Sequence, residues 1–481
     1  MSVQTKPSNE KVIPLSAKDQ WRPISNIRSL AFIVVRDILD GELMKESLDK
    51  LITEHIPLLS SRIKPSGTDG WLQYHLTSPL PDNYDIFGWS VSNVGTTIGE
   101  SKLVPEQNSQ RGIAILPDVT VLESCWTPTD WPILRNQDKP ETPLLLVHLT
   151  YYTDATIVAV SLPHCVSDQL GLGSVISSWT DLMQNKELVP FIDLPEGALE
   201  GDKTMSKKEL HKKYEFRLKT KADRVGVVMG IIPELVTRSK ETRCTLYFPV
   251  EVINGIRDRW QNEIQAKFGT EAVTITNGDA IAGIVIKFAN LHRKHPKKQL
   301  FTSAVNVRGS HPSLPKSHKY LHNALVFAPT HAAISRSKPP ASEIAYRTRL
   351  AIVQSLQPAN MERGLAVARE LYLHNILMHI CEPWEFSYGV TNWCNAWHGI
   401  DFSAASIRRA EQGVEKMEEG DGAVPAPLVF GHALERNHPN RLSATIMSKG
   451  EGGYWVDFAA PNKGMEAIKA LLRNDPNLET I

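Results

Sequence analysis

The chain has 481 residues, 42% hydrophobic and 22% charged, with 53 Lys and Arg against 53 Asp and Glu. This balance leaves no net basic field to displace counterions from nucleic acid or to hold a polybasic anchor on a membrane, so neither partner is expected. The length accommodates more than one domain with a sizeable core, and the expected partner is a small molecule.

The five cysteines, Cys125, Cys165, Cys244, Cys381 and Cys394, are scattered and form no CxxC pair. Neither a zinc knuckle nor a disulfide framework is expected. The opening segment MSVQTKPSNEKVIPLSAKDQ lacks the apolar centre of a secretion signal. No window reaches the roughly 20 apolar residues that span a bilayer. The longest apolar run, Val225 to Val236, contains two Gly and a Pro and reads as a buried helix or hinge, with membrane contact the lesser alternative. A cytoplasmic, reducing location is expected.

Taken in chain order, residues 27–35 predict a strand and residues 41–55 a helix with Leu43, Leu48, Leu51 and Ile52 near helical spacing. Two apolar β-branched runs, residues 143–152 and 156–162, flank Thr153-Asp154-Ala155 and predict a hairpin. Leu172, Val175, Ile176, Trp179, Leu182 and Met183 then share one face of a helix that Ser167 or Asp168 can cap. His164 therefore falls on a tight loop between a strand and a helix. The pattern fades between Lys186 and Lys221, where Pro190, Pro195, Gly197 and Gly201 precede a lysine-rich stretch. This stretch reads as an interdomain linker, its lysines a solvated face or a phosphate-binding patch. The His292–Lys298 run HRKHPKK reads as a loop. Beyond the linker the patterns predict strands at 245–248, 301–307, 324–329, 441–448 and 453–458. Helices are predicted at 250–268, from Thr276 or Asn277 through Phe288, at 342–357 and at 464–473. Mixed strands and helices in both halves predict α+β layers around large mixed sheets. The expected divisions are an N-terminal domain over 1–200, a linker over 201–225 and a C-terminal domain over 226–481, with part of 385–415 packing on the N-terminal domain.

His164 is the residue best matched to proton transfer near neutral pH. On spacing alone it could equally be a core histidine bonded to a carbonyl, and Asp168 could orient it as a third triad member. Cys165 beside it raises a covalent Cys-His mechanism, disfavoured because neighbours on an extended loop project apart. His148 and His164 could face one cavity, but no further metal ligand is indicated.

The stretch TDATIVAVSLPHCVSDQLGLG resembles the HxxxDG region of the BAHD acyltransferases and their fungal relatives, which use acyl-CoA to acylate alcohols or amines. LLSSRI at Leu58–Ile63 resembles their L-x-G-R-L region, and VNVRG at Val305–Gly309 their strand with its Arg. YLHNA at Tyr320–Ala324 is similar to Y-x-G-N, with His322 in place of Gly. Thr391-Asn392-Trp393 resembles T-x-W, and Asp401-Phe402-Ser403-Ala404-Ala405 retains only the first two residues of DFGWG. GGYWVDFAAPNKGMEAI resembles the closing strand and helix. The matches occur in the family's order over most of the chain.

The resemblance implies two similar-sized mixed-sheet domains of the chloramphenicol acetyltransferase superfamily, with His164 in a channel between them. It implies an O-acyltransferase that moves an acyl group, acetyl first among candidates, from acyl-CoA to a hydroxyl of a terpenoid or polyketide-like product. No metal is implied, and the enzyme is expected to be a monomer. His164 is then the general base and Trp393, whose indole can only donate, the oxyanion donor, with plain core packing its alternative. Thr391 supports Trp393 or contacts the cofactor. Asp168 pairs with Arg308 and shapes the site, Asp401 is structural, and Asn323 lies near the pantetheine arm of the cofactor. The alternatives are a condensation-type enzyme using a carrier-protein acyl donor, with Pro163 where such enzymes have a second His, and a noncatalytic ligand-binding relative.

Overall fold

The computed structural model describes residues 9–67, 70–105, 112–195, 197–213, 216–237, 240–376, 381–407, 427–433 and 439–481. The polar segment 1–8, residues 214–215 of the expected linker and residues 408–415 of the 385–415 stretch lie outside the described residues.

Fifteen strands are described: β1 (Asn9–Pro14), β2 (Arg28–Val35), β3 (Arg62–Pro65), β4 (Leu72–Ser78), β5 (Gly88–Asn93), β6 (Ala114–Leu116), β7 (Leu146–Tyr151), β8 (Thr156–Pro163), β9 (Glu241–Pro249), β10 (Lys297–Asn306), β11 (Leu325–Ile334), β12 (Ser387–Asn392), β13 (Leu428–His432), β14 (Ser443–Gly450) and β15 (Gly453–Pro461). They form a five-stranded sheet β13-β2-β8-β7-β5, a seven-stranded sheet β11-β10-β12-β14-β15-β9-β6 and a small sheet β1-β4-β3. Both large sheets are mixed: β5 runs parallel to β7, and β12 runs parallel to β10 and β14, while the other pairs are antiparallel. The expected α+β fold with large mixed sheets is therefore present.

The uninterrupted apolar runs of β2 and β8 are explained by burial on both faces. Every residue from Thr156 to Pro163 is buried, as are residues 28–34. Each large sheet also takes a strand from the other half of the sequence, β6 from residues 114–116 and β13 from residues 428–432. Phe32, Trp126, Tyr247, Phe430 and Trp455 pack in one apolar cluster at this exchange. The Ser448 hydroxyl, on β14, donates to the Val429 carbonyl at 2.8 Å and accepts from the Val429 amide at 3.1 Å, which ties the two sheets together.

Other local readings need revision. The predicted helix 41–55 continues from Gly41–Lys50 into a wider turn over Leu51–His55. Lys297 and Lys298, read as loop, begin β10. Inside the stretch read as linker, Leu210, Phe216 and Leu218 are buried in a cluster with Leu300 and Val367. The Val225–Val236 run is helical, within Lys221–Thr237, yet of its large apolar side chains only Val227 is buried. Gly226 and Gly230 lie so close to Pro383 and to the Trp384–Glu385 backbone that a Cβ would sit 2.6 and 2.3 Å from them. The helix therefore docks through its glycine backbone and Val227 and turns Val225, Val228 and Val236 outward.

Candidate active site

β8 ends at Pro163, which donates no hydrogen bond and terminates the ladder. The chain turns there, with the Val166 amide donating to the Pro163 carbonyl at 2.8 Å, and the helix Gln169–Met183 follows. Asp168 caps that helix, its Oδ1 accepting from the Gly171 amide at 2.9 Å. Gly171 and Gly173 are required by close approach: a Cβ at either would lie 2.0 Å from the Leu321 or Ala396 carbonyl oxygen. The glycines thus let the helix press against two segments from the C-terminal half of the sequence.

The first of these, residues 319–324, grips the His164 loop. The Asn323 amide donates to the His164 carbonyl at 2.9 Å and to Asp19 at 2.8 Å. His322 Nδ1 donates to the Val166 carbonyl at 3.0 Å, and the Ser167 hydroxyl to the Leu321 carbonyl at 2.6 Å. The Ala324 amide donates to Asp168 Oδ2 at 2.9 Å. On the other side, the His164 amide donates to the Ile27 carbonyl at 2.9 Å. His164 is thereby fixed through both of its backbone polar groups. The residue is half-buried, with Nδ1 enclosed and without a hydrogen-bond partner among the described residues. The ring is therefore reachable and not sealed in the core.

Asp168 and Arg308, 140 residues apart in sequence, meet. Arg308 Nη1 donates to Oδ2 and Nη2 reaches Oδ1, each at 3.0 Å, and the guanidinium also donates to Asn306 Oδ1, the Tyr320 carbonyl and the His322 carbonyl. Burial alone raises the Asp168 pKa, but Arg308 and the amides of Ala324 and Gly171 outweigh it and hold the carboxyl below its ordinary value of 3.8. With its oxygens committed to these donors, Asp168 belongs to the arginine pair and the helix cap; no contact with the His164 ring is present.

The second segment, residues 393–406, packs onto the five-stranded half. Trp393, Ala396, Trp397, Phe402 and Ala405 share an apolar cluster with Cys165, Val166 and Leu172. Trp393 follows β12, its amide bonded to the Ile446 carbonyl at 2.9 Å. The ring is buried, and its indole N–H has no hydrogen-bond partner among the described residues. Thr391 is half-buried on β12, in register with Thr445 of β14. Asp401 accepts from the amide and hydroxyl of Ser403, each at 2.9 Å, and its carbonyl accepts from Gln184 at the end of the 169–183 helix. It stabilises the loop.

Asn323 is buried, and its amide N–H groups support the His164 loop, while its Oδ1 is enclosed without a hydrogen-bond partner among the described residues. Cys165 is fully buried, which pushes its thiol up to about 12 and leaves too little thiolate for nucleophilic attack. His148 lies on β7 with its two ring nitrogens on Ser90 and Ser92, at 2.7 and 3.0 Å. It is partnered within its own sheet. Among the described residues no group of three or more His, Cys, Asp or Glu could hold a metal ion. The reading also overlooked Asp19, which joins Lys18 to Asn323. Its only sequence signal was an acidic residue in the polar opening segment. A cavity of about 810 Å³ opens beside this support, bordered by Lys18, Asp19, Tyr74, Tyr320 and His322 and otherwise largely apolar.

No model of a protein family matches the chain. It is 25% identical to the acetyltransferase adrJ of Penicillium rubens, over 94% of this chain and 93% of that protein. It is 22% identical to the O-acetyltransferase PaAT-2 of Phomopsis amygdali, over 98% and 100% of the two. Its fold matches that of TRI101 from F. graminearum, solved with coenzyme A and T-2 mycotoxin, with a TM-score of 0.66 over 96% of this chain and 97% of that one, at 14% identity. The architecture is thus the fold of TRI101. The chain is similar over nearly its whole length to fungal acetyltransferases, and the order of its motifs agrees with that similarity.

Proposed function

We propose that the chain transfers an acetyl group from acetyl-CoA to a hydroxyl of a small hydrophobic natural product, terpenoid or polyketide-like, with His164 as general base. The observation that carries this reading is the half-exposed imidazole at the end of a fully buried strand, its amide bonded to Ile27 and its carbonyl to Asn323. A neutral alcohol ionises too little near pH 7 to attack a thioester. A base held at the acceptor oxygen removes that obstacle and contributes about 10²–10⁴-fold.

With Nδ1 enclosed, Nε2 is the nitrogen that meets the acceptor. A proton on Nδ1 leaves the Nε2 lone pair free for the acceptor hydroxyl. As the hydroxyl proton moves to Nε2, the acceptor oxygen bonds to the thioester carbonyl carbon and the carbonyl oxygen gains negative charge. The unpartnered indole N–H of Trp393 is assigned to that charge, with Thr391 supporting it. Collapse breaks the carbon–sulfur bond, and the proton on Nε2 returns to the departing thiolate. Asp168 and Arg308 take no proton; they hold the loop and the helix start in place.

The test is acceptor-dependent thiol release from acetyl-CoA with a panel of hydroxylated terpenoids and polyketides, product mass being read in parallel. Release with a product heavier by one acetyl group supports the proposal. Turnover only with a carrier-protein-bound acyl group would favour a condensation-type enzyme, and ligand binding without turnover a noncatalytic relative.

A further inference from the structure

The helix Lys221–Thr237 has its amphipathic order reversed. Val225, Val228, Met229, Ile232, Leu235 and Val236 are 64%, 45%, 45%, 41%, 38% and 72% exposed. At about 100° per residue these six occupy an arc roughly 120° wide, the width of an ordinary core-facing stripe. Gly226, Val227, Gly230 and Glu234 occupy the opposite arc and are buried. A helix of a soluble domain normally turns its valines and isoleucines inward, and a contiguous apolar stripe facing out marks an interaction surface.

Charge and aromatic placement identify what meets it. Lys208, Lys212, Lys213 and Lys221 precede the stripe and Lys240 follows it; all are exposed and make no ion pair among the described residues. Leu210 and Val227 share one apolar cluster, which fixes the basic stretch beside the helix. Of the nearby carboxylates, Asp223 pairs with Arg217, Glu382 with Arg217 and Lys219, and Glu234 with Arg293 and Lys297, while Glu209 accepts from Ser206 and faces Lys212. Trp384, 68% exposed, projects from the turn on which the helix rests, its amide bonded to the Gly226 carbonyl at 2.9 Å. An apolar stripe flanked by free lysines and an exposed Trp is the composition of a helix lying in the plane of a membrane interface. A second copy of the chain would oppose like charges across such a face. No described helix is long and apolar enough to cross a membrane, so the contact is peripheral.

We propose that this helix docks the protein on an anionic bilayer surface, burying its valine and isoleucine stripe at the acyl boundary while the flanking lysines meet lipid phosphates. The docking needs no part of the catalytic reading and revises the expectation that no membrane is involved. A hydrophobic acceptor would be concentrated on the same surface.

The test is flotation of the full chain with vesicles of phosphatidylcholine, with and without phosphatidylserine. Binding to the phosphatidylserine vesicles is expected, at least 10-fold above phosphatidylcholine alone. Val228→Asp with Ile232→Asp should abolish it while leaving the thermal transition unchanged, since both positions are exposed. Lys212→Gln with Lys213→Gln should weaken it about 5-fold per lysine, as a surface potential acting on each charge requires. Absence of wild-type binding, equal binding to both vesicle types, or undiminished binding by the Asp pair would overturn the proposal. So would a concentration-dependent dimer, measured by sedimentation, that Ile232→Asp dissociates.

Discussion

Replacing Asp168 with Asn tests the construction of the site most severely. The carboxylate accepts from the Gly171 and Ala324 amides and meets Arg308 through both oxygens. An Asn oxygen can keep one side of this arrangement. If it keeps Gly171, its NH₂ group faces the Ala324 N–H and Arg308 Nη1, donor against donor. Arg308 retains Asn306 and the carbonyls of Tyr320 and His322, which offsets part of the loss. Breaking a buried pair costs about 3–5 kcal/mol, and this partial compensation points to the lower end, about 3 kcal/mol. Denaturant titration at pH 7, followed by tryptophan fluorescence, measures it. The pH dependence supplies the sign. Because the folded pKa lies below 3.8, the contribution is present above that value and lost as pH falls through the lower folded pKa. The gap between wild type and variant should stay constant near neutrality and close below about pH 4. A loss under about 1 kcal/mol, the size expected of a surface ion pair, or a gap that widens in acid, would refute the reasoning.

Three further outcomes follow from the same geometry. Asn323→Ala should lower kcat with little change in KM for acetyl-CoA, because it frees the His164 carbonyl; a large rise in that KM alone would return Asn323 to the cofactor. Gly173→Val drives a side chain into the Ala396 carbonyl and should destabilise by about 1–3 kcal/mol or more, seen as a lower melting temperature; an unchanged transition would contradict the close approach. Cys165, its thiol near 12, should resist iodoacetamide at pH 8 in the native state, and Cys165→Ala should retain activity; rapid alkylation or loss of turnover would reopen the covalent route.

Much of the architecture was legible because the sequence advertises it. β2, β8 and the 169–183 helix are periodic or uniformly apolar, and they set the strand–loop–helix frame of His164. The Asp168–Arg308 pair was legible through ordered motifs and would not have been through spacing, since 140 residues separate them. The contacts of Asn323 were not legible, because a motif position does not reveal which way an amide points. Its role depends on Asp19, supplied from the start of the chain. β6 and β13 are too short to carry a period, and each pairs with the opposite half of the sequence. The 221–237 helix deceived for a different reason. Apolar composition ordinarily means burial, but glycines at 226 and 230 gave the backbone the better fit against residues 383–385 and left most of the side chains outside.

The central claim is that the His164 ring takes the acceptor proton. The most direct measurement compares acceptor-dependent thiol release by the wild-type protein and His164→Ala at saturating acetyl-CoA, with unchanged far-UV dichroism as the check on folding. The account predicts a fall of at least ~10²-fold in kcat for the variant with its thermal transition intact. Equal rates from the two proteins would contradict it.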